Sequence, residues 1–330
     1  MNALRSKSLW IVLGTVLGVA LLLLFLRRAG DLGGMVDVLR GAASRPGWLA
    51  AGIGLFSVSL LFGLTRWYLL LRALGLPLRY RDALRLYATG HFFNVLGPGA
   101  TGGDLVKAGW IAARCPGRRT EAIASIAADR LIGLLAMVVF VAVVSVLRAD
   151  FFSMDPALAL LRHFVYVGCV VGAAVVLLFA FLDIGAFVER LRLPEKSLRS
   201  RLADVAVRFW RTLHVCLTHP RAALGAFALS LCNLSTTVCC YFLLSRSLSM
   251  TVPLRDLFVL TPLADTIAAV PVTPGGAGLR ENTLQSLLDI ASVPRTESTA
   301  LALAMFGTIL VWATVAGILM VSGPKRDAPK

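Results

Sequence analysis

The chain has 330 residues, 58% of them hydrophobic, a formal charge of +15 and a mean hydropathy of +0.80. A soluble domain averages roughly 45–50% apolar residues; here the excess is gathered into long uncharged runs, which read as membrane spans. The longest polar stretch, about 183–221, is too short and too basic to build its own core, which excludes a soluble catalytic domain. Residues 1–330 are therefore expected to form a single membrane domain, with a first half over about 1–150 and a second over about 160–322.

In chain order, Arg5 and Lys7 precede an apolar run from Leu9 to Leu26. The pattern resembles a signal peptide, but Arg27-Arg28 follows instead of a small-residue cleavage site, so a retained first span is expected over 9–26. Further full spans are expected at 48–71, 122–147, 160–182, 222–245 and 299–322. Two more apolar segments, about 83–97 and 254–272, are short for a bilayer core and end in Gly/Pro-rich stretches. The expected fold is all-α and polytopic: about six full transmembrane helices plus two broken or re-entrant ones, about eight membrane segments in an inverted repeat. Whether the two interrupted segments re-enter or cross fully stays open at this point.

The basic residues flank hydrophobic spans and have no soluble surface of their own, which argues against nucleic-acid binding. With a cytoplasmic N-terminus and re-entrant interrupted segments, roughly two-thirds of the 33 Lys and Arg fall on the cytoplasmic side. The expected placement is multi-pass in the cell (inner) membrane with both termini cytoplasmic. The stretch 190–221 reads as a basic amphipathic helix on that face, or as a plain connecting loop. The six cysteines (Cys115, Cys169, Cys216, Cys232, Cys239, Cys240) include no Cys-x-x-Cys pair, and the four histidines show no ligand spacing. No metal and no cofactor are expected.

The two interrupted segments share a motif. Pro98, Gly99 and Gly102 in the first match Pro274, Gly275 and Gly278 in the second, with Gly103 and Gly276 adding to each cluster. An acid follows each, Asp104 or Glu281. Proline stops a helix, and glycine permits close backbone approach. Irregular backbone at membrane depth must be buried in protein or line a wet cavity, and paired breaks in two halves mark a transporter's binding site. Taken singly, such clusters are ordinary loops at helix ends.

Ionisable residues inside apolar runs are the second signal. They are Arg66, Asp129, Arg130 and Asp265. A charge at membrane depth is costly and finds a cavity or a partner. Asp129 and Arg130 are neighbours on one helix and cannot pair with each other, so each needs a partner elsewhere. The plainer readings are a snorkelling Arg66, an interfacial ion pair at 129–130, and Asp104 as a helix N-cap.

Three stretches carry a resemblance. Phe92-Phe93-Asn94 through Pro98-Gly99 to Gly102-Gly103-Asp104 and Lys107, then Ala128-Asp129-Arg130-Leu131-Ile132-Gly133-Leu134, and finally Pro274-Gly275-Gly276-Ala277-Gly278-Leu279-Arg280-Glu281 resemble, in order, signatures of the flippase-like membrane domain of lysylphosphatidylglycerol synthases. Asn282 departs from the pattern, where a small residue is usual. The resemblance implies a membrane protein that moves lipids between leaflets. The soluble aminoacyl transferase of full synthases is expected to be absent. The expected substrate-binding set is Arg66, Asn94, Asp104, Lys107, Asp129, Arg130, Arg280 and Glu281, with the cations holding a headgroup phosphate and the acids orienting them. No ATP-binding Gly-x-x-x-x-Gly-Lys-[Ser/Thr] motif occurs, so transport is expected to be passive or ion-coupled. The alternatives are an accessory scaffold for a lipid-modifying enzyme and an intramembrane headgroup transferase; no catalytic constellation supports the latter.

Overall fold

The computed structural model describes residues 40–42, 44–96, 102–182, 198–268 and 279–321. The expected span over 9–26 and the break residues Pro98, Gly99, Pro274, Gly275, Gly276 and Gly278 lie outside them. The described chain runs α1 (Pro46–Ala73), α2 (Tyr80–Leu96), α3 (Gly102–Arg114), α4 (Arg119–Leu147), α5 (Ala149–Phe152), α6 (Pro156–Phe181), α7 (Leu198–Thr218), α8 (Pro220–Ser247), α9 (Leu254–Ala268), α10 (Leu279–Ile290) and α11 (Arg295–Val321). Every one of these elements is a helix. Helices α1, α4, α6, α8 and α11 are long and apolar enough to cross a membrane, in agreement with five of the expected spans. Proline stands at the first turn of α1, α6 and α8, where its missing N–H costs nothing. Asp155 caps α6 by accepting from the Ala157 N–H at 2.6 Å.

Both interrupted segments double back. Gly103 lies on the Gly90 carbonyl, and the Gly103 N–H donates to Asn94 Oδ1 at 3.0 Å. Lys107 then reaches the Tyr87 ring one turn further on. Contacts that recede in α2 as they advance in α3 define an antiparallel hairpin. In the second segment Asp265 of α9 meets Arg280 of α10 at 3.3 Å. An unbroken helix would hold these two roughly 22 Å apart. The segments therefore re-enter, which closes the question left open by the sequence.

The hairpins open on opposite faces. Arg118, just before α4, donates to the Leu74 and Gly75 carbonyls just after α1 at 2.8 and 3.1 Å, so the first hairpin leaves and returns on one side. Arg148, at the far end of α4, donates to Asp256 at the start of α9 at 2.7 Å, so the second hairpin opens on the other side. The two halves are related by an inverted pseudo-twofold. Ser59 and Asn233 are 174 residues apart, the interval that also separates Pro46 from Pro220 and Tyr80 from Leu254. Asn233 Nδ2 donates to the Ser59 carbonyl at 2.6 Å, so two equivalent residues touch each other, as only residues near a twofold axis can. Gly52 lies against Leu244, and Gly225, near the opposite end of α8, lies against Leu69. Small residues allow α1 and α8 to approach closely where apolar burial alone gives little drive within lipid.

Helix α7 realises most of the expected amphipathic segment. Leu213 and Cys216 are buried with Leu70, Ala128 and Ala226, while Arg208 and Arg211 face outward. Helix α6 is the most peripheral of the long helices, exposing Leu160, Phe164, Val167 and Val170 as a lipid-facing span does.

At the far end of α4, outside the apolar spans, Arg148 also binds Asp150 at 3.2 Å. This hydrogen bond holds the Asp150 carboxyl below its ordinary range. A lowered carboxyl contributes stability above its ordinary pKa, about 3.9, and loses it as pH falls through the lowered value. The Arg148–Asp150 bond is thus intact at neutral pH, and Arg148→Ala, which removes both it and the bond to Asp256, is expected to raise amide exchange at the start of α9 at pH 7. The tight hairpin crossing gives a sharper prediction. Gly103→Ala is expected to destabilise by about 1–3 kcal/mol because its Cβ overlaps the Gly90 carbonyl. Gly109→Ala on the same helix meets nothing within 4 Å and should gain about 0.5–1 kcal/mol. Thermal unfolding midpoints in detergent compare the two.

Candidate functional site

The first hairpin packs beside α1 and α4 and brings five of the eight expected residues together, with Asn94 closing the hairpin next to them. Arg66 of α1 donates from Nε to Asp129 Oδ1 at 2.7 Å and from Nη2 to Oδ2 at 3.0 Å, a bidentate pair. Its Nη1 donates to Ser230 Oγ of α8 at 3.1 Å. Both partners are largely buried, so Arg66 does not snorkel. Arg130, one residue on, faces the other way and donates from Nε to Asp104 Oδ2 at 2.7 Å. Each member of the Asp129-Arg130 pair has thus found its partner on another helix, as the sequence demanded. Asp104 is the third residue of α3, and its carboxylate is taken by Arg130 rather than by a capping bond. The Arg130 side chain is 55% exposed, the most open of the group, roughly 16 Å along α4 from its start.

Lys107 is buried, with 3% of its surface exposed. Its Nζ lies 3.6 Å from the centre of the Trp67 ring and 5.1 Å from that of Tyr87. Such ring faces attract a cation through the aromatic quadrupole. Trp67 is itself fixed, since its Nε1–H donates to Ser125 Oγ at 3.2 Å. Asn94 does not reach this group of charges through its side-chain oxygen, which instead closes the hairpin at Gly103.

Arg280 and Glu281 are set apart on the second hairpin. Arg280 pairs with Asp265 and hydrogen-bonds Tyr241 of α8. Glu281 is buried. The sequence pointed to one charged cavity, whereas the structure arranges two charge groups, one per hairpin. An apolar cavity of about 310 Å³ lies elsewhere, between the start of α6 and α10, lined by Leu158, Leu161, Asn282, Ser286 and Leu287.

Sequence reasoning missed Trp67, Tyr87, Ser230 and Tyr241. Trp67 adjoins Arg66, and an aromatic residue beside an intramembrane charge was the available signal. The others come from distant positions and carry none. The glycine of the 128–134 stretch also gains a reason: a Cβ on Gly133 would stand 2.8 Å from Arg66 Nη1. Only glycine leaves the guanidinium room to reach Asp129 and Ser230 together.

A family model described as the lysylphosphatidylglycerol synthase TM region matches residues 11–317. The chain belongs to this family. No curated protein matches the chain. The match spans all the described site residues, and the resemblance at 92–107, 128–134 and 274–281 is thereby carried to nearly the whole chain. Membership in the lysylphosphatidylglycerol synthase TM family and the set of apolar helices together make this a multi-pass membrane protein of a family tied to lipid modification.

The Arg66–Asp129 pair gives a test of what holds the site. Asp129→Asn leaves a buried guanidinium without its counter-charge and is expected to cost about 3–5 kcal/mol. Replacing both residues by apolar ones of similar size, Arg66→Met with Asp129→Leu, should restore most of that loss. Thermal unfolding of the three variants against the wild type checks both arms.

Proposed function

We propose that the protein translocates a phospholipid or another lipid between the leaflets of the cell membrane, and that it does so as a transporter and not as an enzyme. The observation that carries this reading is Arg130: a cation well inside an apolar helix, more than half exposed, with only its Nε engaged among the described residues. The remaining donors of a planar guanidinium match a phosphate bidentately. Asp104 orients the fork, and the buried Arg66–Asp129 pair keeps the supporting helices in place beneath it. Two hairpins opening on opposite faces supply the inverted geometry that alternating access uses. In this reading Arg280 and Glu281 serve the opposite leaflet.

Loop charge supports one orientation. The face where the first hairpin opens carries Arg72, Arg79, Arg81, Arg114, Arg118 and Arg119, and α7 adds Arg208 and Arg211. Positive charge collects on the cytoplasmic side, which supports the reading of that face, and with it the termini, as cytoplasmic. The exposed arginines of α7 also favour a second reading, an accessory subunit that docks a lipid-modifying enzyme there.

Scrambling of fluorescent phospholipids by liposomes holding the purified protein separates the two. Translocation predicts protein-dependent movement that falls at least about tenfold in Arg130→Ala, where one lost guanidinium–phosphate contact of about 1.5–3 kcal/mol accounts for that factor, and that also falls in Glu281→Gln, with both variants still inserting. Normal transport by both variants would sink the site.

A further inference from the structure

The cluster that the first hairpin forms with α1 and α4 holds an unequal number of charges. Three cations, Arg66, Lys107 and Arg130, face two carboxylates, Asp104 and Asp129. Both carboxylates are already bonded by arginines, Asp129 by Arg66 and Asp104 by Arg130. Lys107 makes no ion pair among the described residues, and its ammonium rests on two aromatic rings. The groups that face it are Arg66 and Trp67 from α1, Tyr87 from α2, Asp104 from its own helix, and Asp129 and Arg130 from α4. With Lys107 protonated the cluster carries one positive charge too many. With Lys107 neutral it balances.

The three cations are not chemically alike. A guanidinium keeps its proton throughout the physiological range, whereas a lysine ammonium gives its proton up in suitable surroundings. Lys107 is therefore the member of the cluster through which its net charge can change. An arriving phosphate supplies the negative charge that balances a protonated Lys107. By linkage, whatever a bound anion does for the proton, the proton does for the anion.

We propose that Lys107 is a proton-binding site coupled to headgroup binding, so that the anionic phosphate of a lipid and one proton occupy the first hairpin together. This rests on the translocation reading and adds its driving ion. As the phosphate docks on Arg130, the Nζ lone pair of Lys107 takes a proton from water, and it returns that proton when the phosphate leaves. The cluster stays neutral in the empty state and neutral with a singly charged phosphodiester bound. A lipid would then move with a proton, and a proton gradient would drive it.

Calorimetric binding of short-chain phosphatidylglycerol to the detergent-solubilised full chain, in two buffers of different ionisation enthalpy, counts the protons. The wild type should take up close to one proton per lipid at an alkaline pH at which the empty cluster is neutral, and progressively less toward an acidic pH at which Lys107 already carries its proton. Lys107→Arg, with a permanent charge, should bind with no uptake at either pH. Inorganic phosphate alone should give no binding heat; binding equal to the lipid's would overturn the lipid assignment. Zero uptake by the wild type at every pH, or the same uptake in Lys107→Arg, overturns the proposal, as does absence of lipid binding. Because the count is made on binding, it is separate from transport: proton-linked binding without scrambling would retain Lys107 as the proton site and remove the translocation reading instead.

Discussion

A charge inside an apolar helix has to be met by a counter-charge from another helix, and the Arg66–Asp129 bond is where this chain meets that demand most fully. The pair is bidentate and largely buried, and it joins α1 to α4. Breaking either half would strand the other in a medium where an isolated ion is costly. The remaining features of the site lean on it. Gly133 is bare so that Arg66 can pass, Ser230 takes the third donor and draws α8 in, and Trp67, next in sequence, is turned toward Lys107 and pinned by Ser125. The adjacent residue Arg130 is presented on a different face of α4, which frees it to meet the hairpin.

The second constraint is the hydrogen bonding of backbone inside a membrane. A chain that stops being helical at depth leaves polar groups with no water to satisfy them, so it must be covered by protein. The two hairpins meet this by packing one short helix on another. In the first, Asn94 supplies the acceptor for the Gly103 N–H, and the pairing of Gly90 with Gly103 brings the two backbones together. The twofold relation follows from the same economy of form: α1 and α8 lie antiparallel across Ser59 and Asn233, and each carries one hairpin after it.

Much of this was legible in the sequence because it rests on patterns that membranes impose strictly. Long apolar runs located five of the described spans, and the repeated Pro-Gly-x-x-Gly located both hairpins. The adjacency of Asp129 and Arg130 alone required two partners on other helices, and the structure supplies Arg66 and Asp104. Direction was not legible in the same way. Re-entry depends on contacts between Gly90 and Gly103, or Asp265 and Arg280, which no local pattern encodes. Nor was the division of the charges into two groups legible, since a list of intramembrane ions does not say which hairpin each one serves. Asn94 shows the limit most clearly: its position in a signature marked it as a binding residue, whereas its side-chain oxygen holds the hairpin closed.

The two halves share a skeleton and differ in chemistry. The cluster around the first hairpin has an excess of cations, with Arg66 from α1 and the exposed guanidinium of Arg130 from α4; the second hairpin carries Asp265, Arg280 hydrogen-bonded to Tyr241, and a buried Glu281. A purely structural repeat would have no reason to keep ions in both hairpins, because apolar residues of the same size pack as well without the cost of desolvation. A purely symmetric transporter would hold the same ions in both. Unequal charge on an inverted frame is what a directional carrier needs, since a headgroup must be held differently at its point of entry and its point of release. Under the proposed translocation, such an arrangement would suit a passage with a preferred sense rather than a neutral pore, the difference lying in the groups around Trp67 on one side and Tyr241 on the other.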